Sequence, residues 1–292
     1  MKTKTLLTTT AFLVKLFLSL NAFGTAQISE IIIWRGDTLG LNSLPLELKT
    51  DYKSLIVKIH NEIEKLMYPE GDDGEERADI SSSVCSRGYR AEWIVINDSV
   101  FLNGIYHCDD RNMKVNLSNI FPNIGKNQRV FASWINGELN IPQGEIIEWV
   151  NRGFLSIFER ETVINVENGI IKNYENYHNR IEKKGSIWLS GFIYRNINWD
   201  ILPDLGERHI MIFVRVQPNE QGQLESIDFD ENHTGAVSAF IFSEEETDMF
   251  MQESIRIAKL IPDWDVIYRR GEIIKQSIMI EFSEWRKNRG SR

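Results

Sequence analysis

The residue types that do chemistry are thinly spread along this chain. Its five histidines, His60, His107, His178, His209 and His233, stand apart from one another, and no pair has the His-x-x-x-His spacing that grips a zinc ion from one helix face. The densest group of metal-ligating types is His107-Cys108-Asp109-Asp110. Neighbours on a strand point to opposite faces, so only alternate members could share one ion. A strand end carrying a disulfide cysteine and a polar turn accounts for the same residues without a metal. Glu159-Arg160-Glu161 would set two carboxylates on one strand face, the raw material of acid–base work; with an arginine between them, a solvated ladder is the simpler reading. There is no Gly-x-Ser-x-Gly elbow, no phosphate-binding Gly-Lys-Ser/Thr loop and no dinucleotide fingerprint. These residues predict no catalysis, no metal and no cofactor. The chain has eight tryptophans. Trp93, Trp134 and Trp149 fall in strand-like segments and read as core residues, with a sugar-stacking platform as the sharper alternative.

The elements that would carry these residues are strands, for the most part. Leu55, Ile59, Ile63 and Leu66 recur at helical spacing within Leu48–Tyr68, and Pro69 ends that helix. From Cys85 to about Tyr177 the pattern is that of β-hairpins. Trp93–Ile96 and Ser99–Tyr106 flank Asn97-Asp98, Phe131–Ile135 and Glu138–Ile141 flank Asn136-Gly137, and Thr162–Val166 and Ile170–Tyr174 flank Asn168-Gly169. Gly144–Val150 and Phe154–Phe158 read as further strands. This is a meandering antiparallel domain, a sandwich or half-barrel. The polar run Tyr177–Gly185 reads as a short linker. Beyond it, His209–Gln217 and Leu224–Phe229 form a strand pair. Ser243 and Glu246 make a capping box ahead of a helix whose apolar face carries Phe250, Met251, Ser254, Ile257, Ala258 and Ile261. A last strand spans Glu272–Phe282, with Ile274, Ile278, Ile280 and Phe282 on one face. The fold class is α+β: an antiparallel β-rich N-terminal domain and a small β-β-α-β domain.

Four segments occur in the β-β-α-β region in a telling order: Ile193–Trp199, Ile212–Ile227, Glu253–Trp264 with its Ile261-Pro262-Asp263-Trp264 group, and Gly271 with the closing strand to Phe282. In that order they resemble the C-terminal domain family of the energy transducer TonB, over about a third of the chain. Trp199-Asp200 stands where the family usually has Tyr-Pro, and no Pro-rich spacer precedes the domain. The resemblance implies a domain that captures an extended peptide along a sheet edge. It makes Ile278, Met279, Ile280, Glu281 and Phe282 the candidate partner-binding strand, and Trp264 a closing residue of the helix–sheet core. Cys85–Trp93 and Val130–Gly144 resemble an uncharacterised bacterial exported β domain, which carries no activity with it.

The N-terminus reads as a signal peptide over residues 1–26. Lys2 and Lys4 precede an apolar run from Leu6 to Phe23, and Gly24 and Ala26 satisfy a small-x-small cleavage rule before Gln27. An uncleaved anchor is the alternative, with Lys15 in mid-run against it. The β-rich domain then covers 27–184 and the TonB-like domain 185–292. The net charge of −9 argues against nucleic acid as a partner and against adsorption to anionic lipid. No stable membrane span is expected once the leader is gone. Cys85 and Cys108 bracket the Trp93 hairpin and are either one disulfide or two buried thiols. Together these features predict a periplasmic or secreted protein that binds an envelope or outer-membrane protein by strand addition. A true transducer with a retained anchor is one alternative, and an exported glycan-active enzyme is another.

Overall fold

The computed structural model describes residues 25–69, 79–122, 124, 129–150, 152–229 and 242–290. Residues 1–24, which hold most of the expected signal peptide, residues 70–78 and residues 230–241 lie outside the described residues. The fold is α+β, and the described residues divide into two compact units, one ending at Asn179 and the other beginning at Arg180.

The first unit is built on β1 (Glu30–Trp34), β2 (Asp37–Leu41), β3 (Tyr89–Ile96), β4 (Ser99–His107), β5 (Val130–Phe131), β6 (Gly137–Glu148), β7 (Ile157–Glu167) and β8 (Ile170–His178), with helix α1 (Tyr52–Met67) between β2 and β3. The strand order is β2-β1-β3-β4-β8-β7-β6, with β5 pairing β4 off this path. Among the described strands of this sheet β1 and β3 alone run parallel. The sheet curls until the chain just past β2 meets β6: the Asn42 N–H donates to the Asn140 carbonyl at 2.8 Å, and the Asn140 N–H to Ser43 Oγ at 3.0 Å. Leu55, Ile59 and Ile63 turn into the core that the sheet encloses, with Ile32, Trp93, Leu102, Leu139 and Ile164. Leu66, the fourth residue of the expected helix stripe, is exposed.

The turns explain the pairing. Asn97-Asp98 and Asn168-Gly169 hold positive φ at both residues, which suits the right-handed twist of the strands they join. Asn136-Gly137 does not make the expected hairpin. Asn136 Oδ1 instead accepts the Asn168 N–H at 2.8 Å, and the Gly169 N–H donates to the Ile135 carbonyl at 3.0 Å. The Asn-Gly pair is spent on buttressing the next turn, so β6 pairs with β7 and residues 132–136 are not a strand. Arg35-Gly36 is a further turn with positive φ at both residues, with the Arg35 guanidinium 4.7 Å from the Trp34 ring and 4.4 Å from that of Tyr174. Trp93 is fully buried and Trp134 half-buried, but Trp149 is exposed at 61%, against its expected place in the core. It follows the last residue of β6, where the sheet no longer covers it.

The second unit comprises β9 (Arg180–Lys183), α2 (Leu189–Asn196), β10 (His209–Pro218), β11 (Leu224–Phe229), α3 (Glu244–Leu260), β12 (Val266–Arg269), β13 (Glu272–Ile273), β14 (Gln276–Ser283) and α4 (Glu284–Gly290). One sheet has the order β11-β10-β14 and a second β13-β12-β9. The capping box starts α3: Ser243 Oγ accepts the Glu246 N–H, and the Glu246 carboxylate accepts the Ser243 N–H. Phe250, Ile257 and Ala258 of α3 pack with Ile210, Ile212, Val214 and Val216 of β10 and Ile278, Ile280 and Phe282 of β14. Trp264 is 2% exposed within this cluster.

Two expectations fail here. Tyr177–Gly185 is not a linker, because Tyr177 and His178 finish β8 and Arg180–Lys183 pairs with β12. These strand residues are mostly exposed, so no apolar alternation marked them. The division between units accordingly follows Asn179 and not residue 184. The last strand is broken as well. Ile274 donates its N–H to the Ile267 carbonyl, which closes the Arg270-Gly271 hairpin, and β14 begins only at Gln276.

Candidate functional site

Cys85 precedes β3 and Cys108 follows β4, so antiparallel pairing of the two strands brings them together. They are joined as a disulfide, with Cα atoms 6.3 Å apart. Cys108 is therefore no thiolate ligand, and among the described residues no three His, Cys, Asp or Glu side chains converge as a metal site. The bridge closes a loop whose ends are 23 residues apart. Replacing both cysteines with serine should lower stability by about 2–4 kcal/mol. Urea unfolding of the double variant beside the oxidised protein measures this, and an unchanged midpoint would refute it.

The candidate strand Ile278–Phe282 lies in β14, which pairs with β10 and stands at an edge of its sheet. Ile278, Ile280 and Phe282 are buried, and Met279 is exposed at 43%. The Glu281 backbone N–H hydrogen-bonds the Tyr194 hydroxyl of α2, whose own ionisation burial pushes up. That amide thus faces away from β10. Backbone groups alternate along a strand, so the amides of Ser277 and Met279 face the same way. Glu281 also holds Arg286 at 2.9 Å, which ties α4 to this end of the strand. At the other end an open groove of about 470 Å³ is lined by Gln217, Arg269, Arg270 and Lys275.

Glu159 and Glu161 do not converge as a dyad. Glu159 Oε2 accepts the Glu145 N–H at 3.3 Å, whereas Glu161 is buried and lines a cavity of about 290 Å³ on β6, β7 and β8. Gln143, Arg160, Thr162, Asn176 and His178 share that cavity. Three-strand register builds it, which explains why no local motif announced it.

A buried polar cluster was also missed. Glu30, at the start of β1, is fully buried; its Oε2 accepts the Trp93 Nε1–H at 2.6 Å, and its Oε1 lies 3.8 Å from Arg87 Nε. Arg87 Nη2 donates to the Ile28 carbonyl at 2.7 Å, and the Arg87 carbonyl meets His60 Nε2 at 2.8 Å. Burial pushes the Glu30 carboxyl up to about 8, against the opposing pull of Arg87 and of the Trp93 hydrogen bond. Burial likewise raises Tyr89, which faces Glu30, and Tyr52, which hydrogen-bonds Tyr89. The available signal was a glutamate opening the apolar run Glu30-Ile-Ile-Ile33.

On β3, Glu92 is satisfied throughout. Its Oε1 accepts from Asn103 at 2.6 Å and from the Tyr106 hydroxyl at 3.4 Å, and its Oε2 from Arg111 at 2.6 Å. It reads as a scaffold group, with every strong contact spent within the protein. No described helix is long and apolar enough to cross a membrane. Comparison of the chain with family models, with characterised proteins and with solved structures finds no match.

Proposed function

We propose that this chain is an exported envelope protein without catalytic activity, whose second unit binds an extended segment of an envelope or outer-membrane protein along β14. The observation that carries the reading is the edge position of β14, with the Ser277 and Met279 amides directed away from β10. Main-chain donors in a row can accept a foreign strand without dedicated side chains. The buried Ile278, Ile280 and Phe282 hold the strand rigid while its outer edge pairs. Tyr194 occupies the Glu281 position, so the pairing stretch is Gln276–Ile280. The resemblance of residues 191–283 to the TonB C-terminal family points the same way. The Cys85–Cys108 bridge suits an oxidising compartment, which supports the reading of residues 1–26 as an export leader.

Met279→Pro tests the edge. Proline removes an outward donor and leaves the β10 ladder intact, a placement that edge strands tolerate. The variant should keep its far-UV circular dichroism and lose the envelope proteins that the wild-type chain retains on an affinity column. Met279→Ala, which restores the N–H, should retain them. Equal capture by a folded Met279→Pro protein would end the strand-addition reading.

A further inference from the structure

The cavity on β6–β8 is made of two rungs of one ladder. Gln143, Arg160 and His178 lie directly opposite one another across the three strands, and Thr162 and Asn176 form the adjacent rung on the same face. Directly opposed residues put their side chains on the same side of the sheet. Glu161 and Tyr177, which also line the cavity, alternate to the other face of the ladder.

Internal bonds orient the inner rung. Thr162, 3% exposed, donates its hydroxyl to Asn176 Oδ1 at 2.7 Å and accepts from Gln143 Nε2 at 3.3 Å. That arrangement uses the Asn176 oxygen and the Gln143 amino group. It leaves the Asn176 amide as a donor and the Gln143 carbonyl as an acceptor for something in the cavity. The outer rung is different in kind. Arg160 and His178 sit side by side, and neither side chain has a hydrogen bond or ion pair among the described residues. A guanidinium is always charged and presents a planar fork that matches a carboxylate. An imidazole beside it gains from the same anion. One wall therefore suits a carboxylate, and the other offers the mixed donor and acceptor set that hydroxyl groups need.

We propose that this cavity binds a small hydroxylated carboxylate of sugar-acid size, its carboxylate on Arg160 and His178 and its hydroxyls on Gln143 and Asn176. The site belongs to the first unit and is independent of strand capture by β14. A volume of about 290 Å³ accommodates a single sugar ring.

Galacturonate is the probe, with glucose as the neutral control and acetate as the control lacking hydroxyls. Titration of the full chain, followed by NMR chemical shifts, should show saturable galacturonate binding in the micromolar-to-millimolar range. Perturbed amides should cluster on residues 141–144, 160–163 and 175–178. Glucose and acetate should bind at least about tenfold more weakly, since each lacks one of the two recognition elements. Arg160→Gln should weaken galacturonate about tenfold or more, and His178→Gln by a smaller factor. Arg160 is exposed and unpaired, so the wild-type spectrum elsewhere reports that the variant is folded. Thr162→Val, which releases both amides from their orientation, should weaken galacturonate and leave the weak binding of acetate unchanged. Galacturonate that fails to saturate, or that binds a folded Arg160→Gln protein as tightly as wild type, would overturn the proposal. So would glucose binding as tightly as galacturonate.

Discussion

Substituting Trp93 with alanine should lower the unfolding free energy of the first unit by about 3–5 kcal/mol, the range for deleting a fully buried large aromatic. The ring is completely buried at the centre of the sheet's core, edge-on to Trp134 with centroids 6.4 Å apart. Truncation opens a cavity in this core that neighbouring aliphatic side chains fill only in part. It also strips the Glu30 carboxyl of its donor at 2.6 Å, in a place water does not reach. Trp93→Phe separates the two effects. It keeps most of the ring and loses only the N–H, so its cost should be nearer the roughly 1–3 kcal/mol of one orphaned buried acceptor. Chemical denaturation followed by far-UV circular dichroism measures both variants without relying on tryptophan emission. If alanine costs no more than phenylalanine, the Glu30 contact rather than packing governs the site.

Glu30 should make the same unit less stable as the pH rises. Its carboxyl is raised from 4.5 to about 8, chiefly by burial. A raised acid binds its proton more tightly in the folded state, so its stabilising contribution is complete below the unfolded value. It then declines as pH climbs through the interval and is gone above the folded value. At about 1.4 kcal/mol per unit, that interval corresponds to roughly 5 kcal/mol. The groups facing Glu30 include Arg87, Arg90, Trp93, Tyr89 and Glu47. Below the carboxylate range the sign reverses for Asp79, lowered by the Ser81 backbone, and Glu62, lowered by Lys65. The test window is therefore above pH 5. Glu30→Gln should flatten the stability profile between about pH 5 and 9 and leave the variant more stable than wild type at the alkaline end. A profile with the same slope in both proteins would show that Glu30 does not titrate in this range.

Local chemistry was legible where one element decides the outcome. Ser243 and Glu246 announced the start of α3 because a capping box needs only four consecutive residues. Asn97-Asp98 and Asn168-Gly169 announced their hairpins because their flanking strands pair with each other. Asn136-Gly137 has the same chemistry and a different outcome, since a turn motif reports backbone tolerance and not which strands meet. Arg35-Gly36 and Arg270-Gly271 went unread because arginine seldom occupies positive φ; at Arg35, stacking on Trp34 and Tyr174 compensates. The sites were harder still. The strand Ile278–Phe282 could be read from alternation, but its edge position depends on β10 lying between β11 and β14. The cavity depends on register across β6, β7 and β8, and β6 and β7 carry irregularities that no local pattern predicts. Glu30 stands out only once burial is known.

The junction of Asn42 with Asn140 has a consequence in time. Its two sides are nearly a hundred residues apart in the chain, and the parallel pair β1–β3 also spans a long excursion through α1. Contacts this distant are formed against a large loss of chain entropy and come late in folding. β6 pairs with β7, and β7 in turn with β8, so the first unit cannot complete itself on a ribosome before the chain has been made through His178. Until then the apolar strands β1 to β4 have no closed sheet to enter.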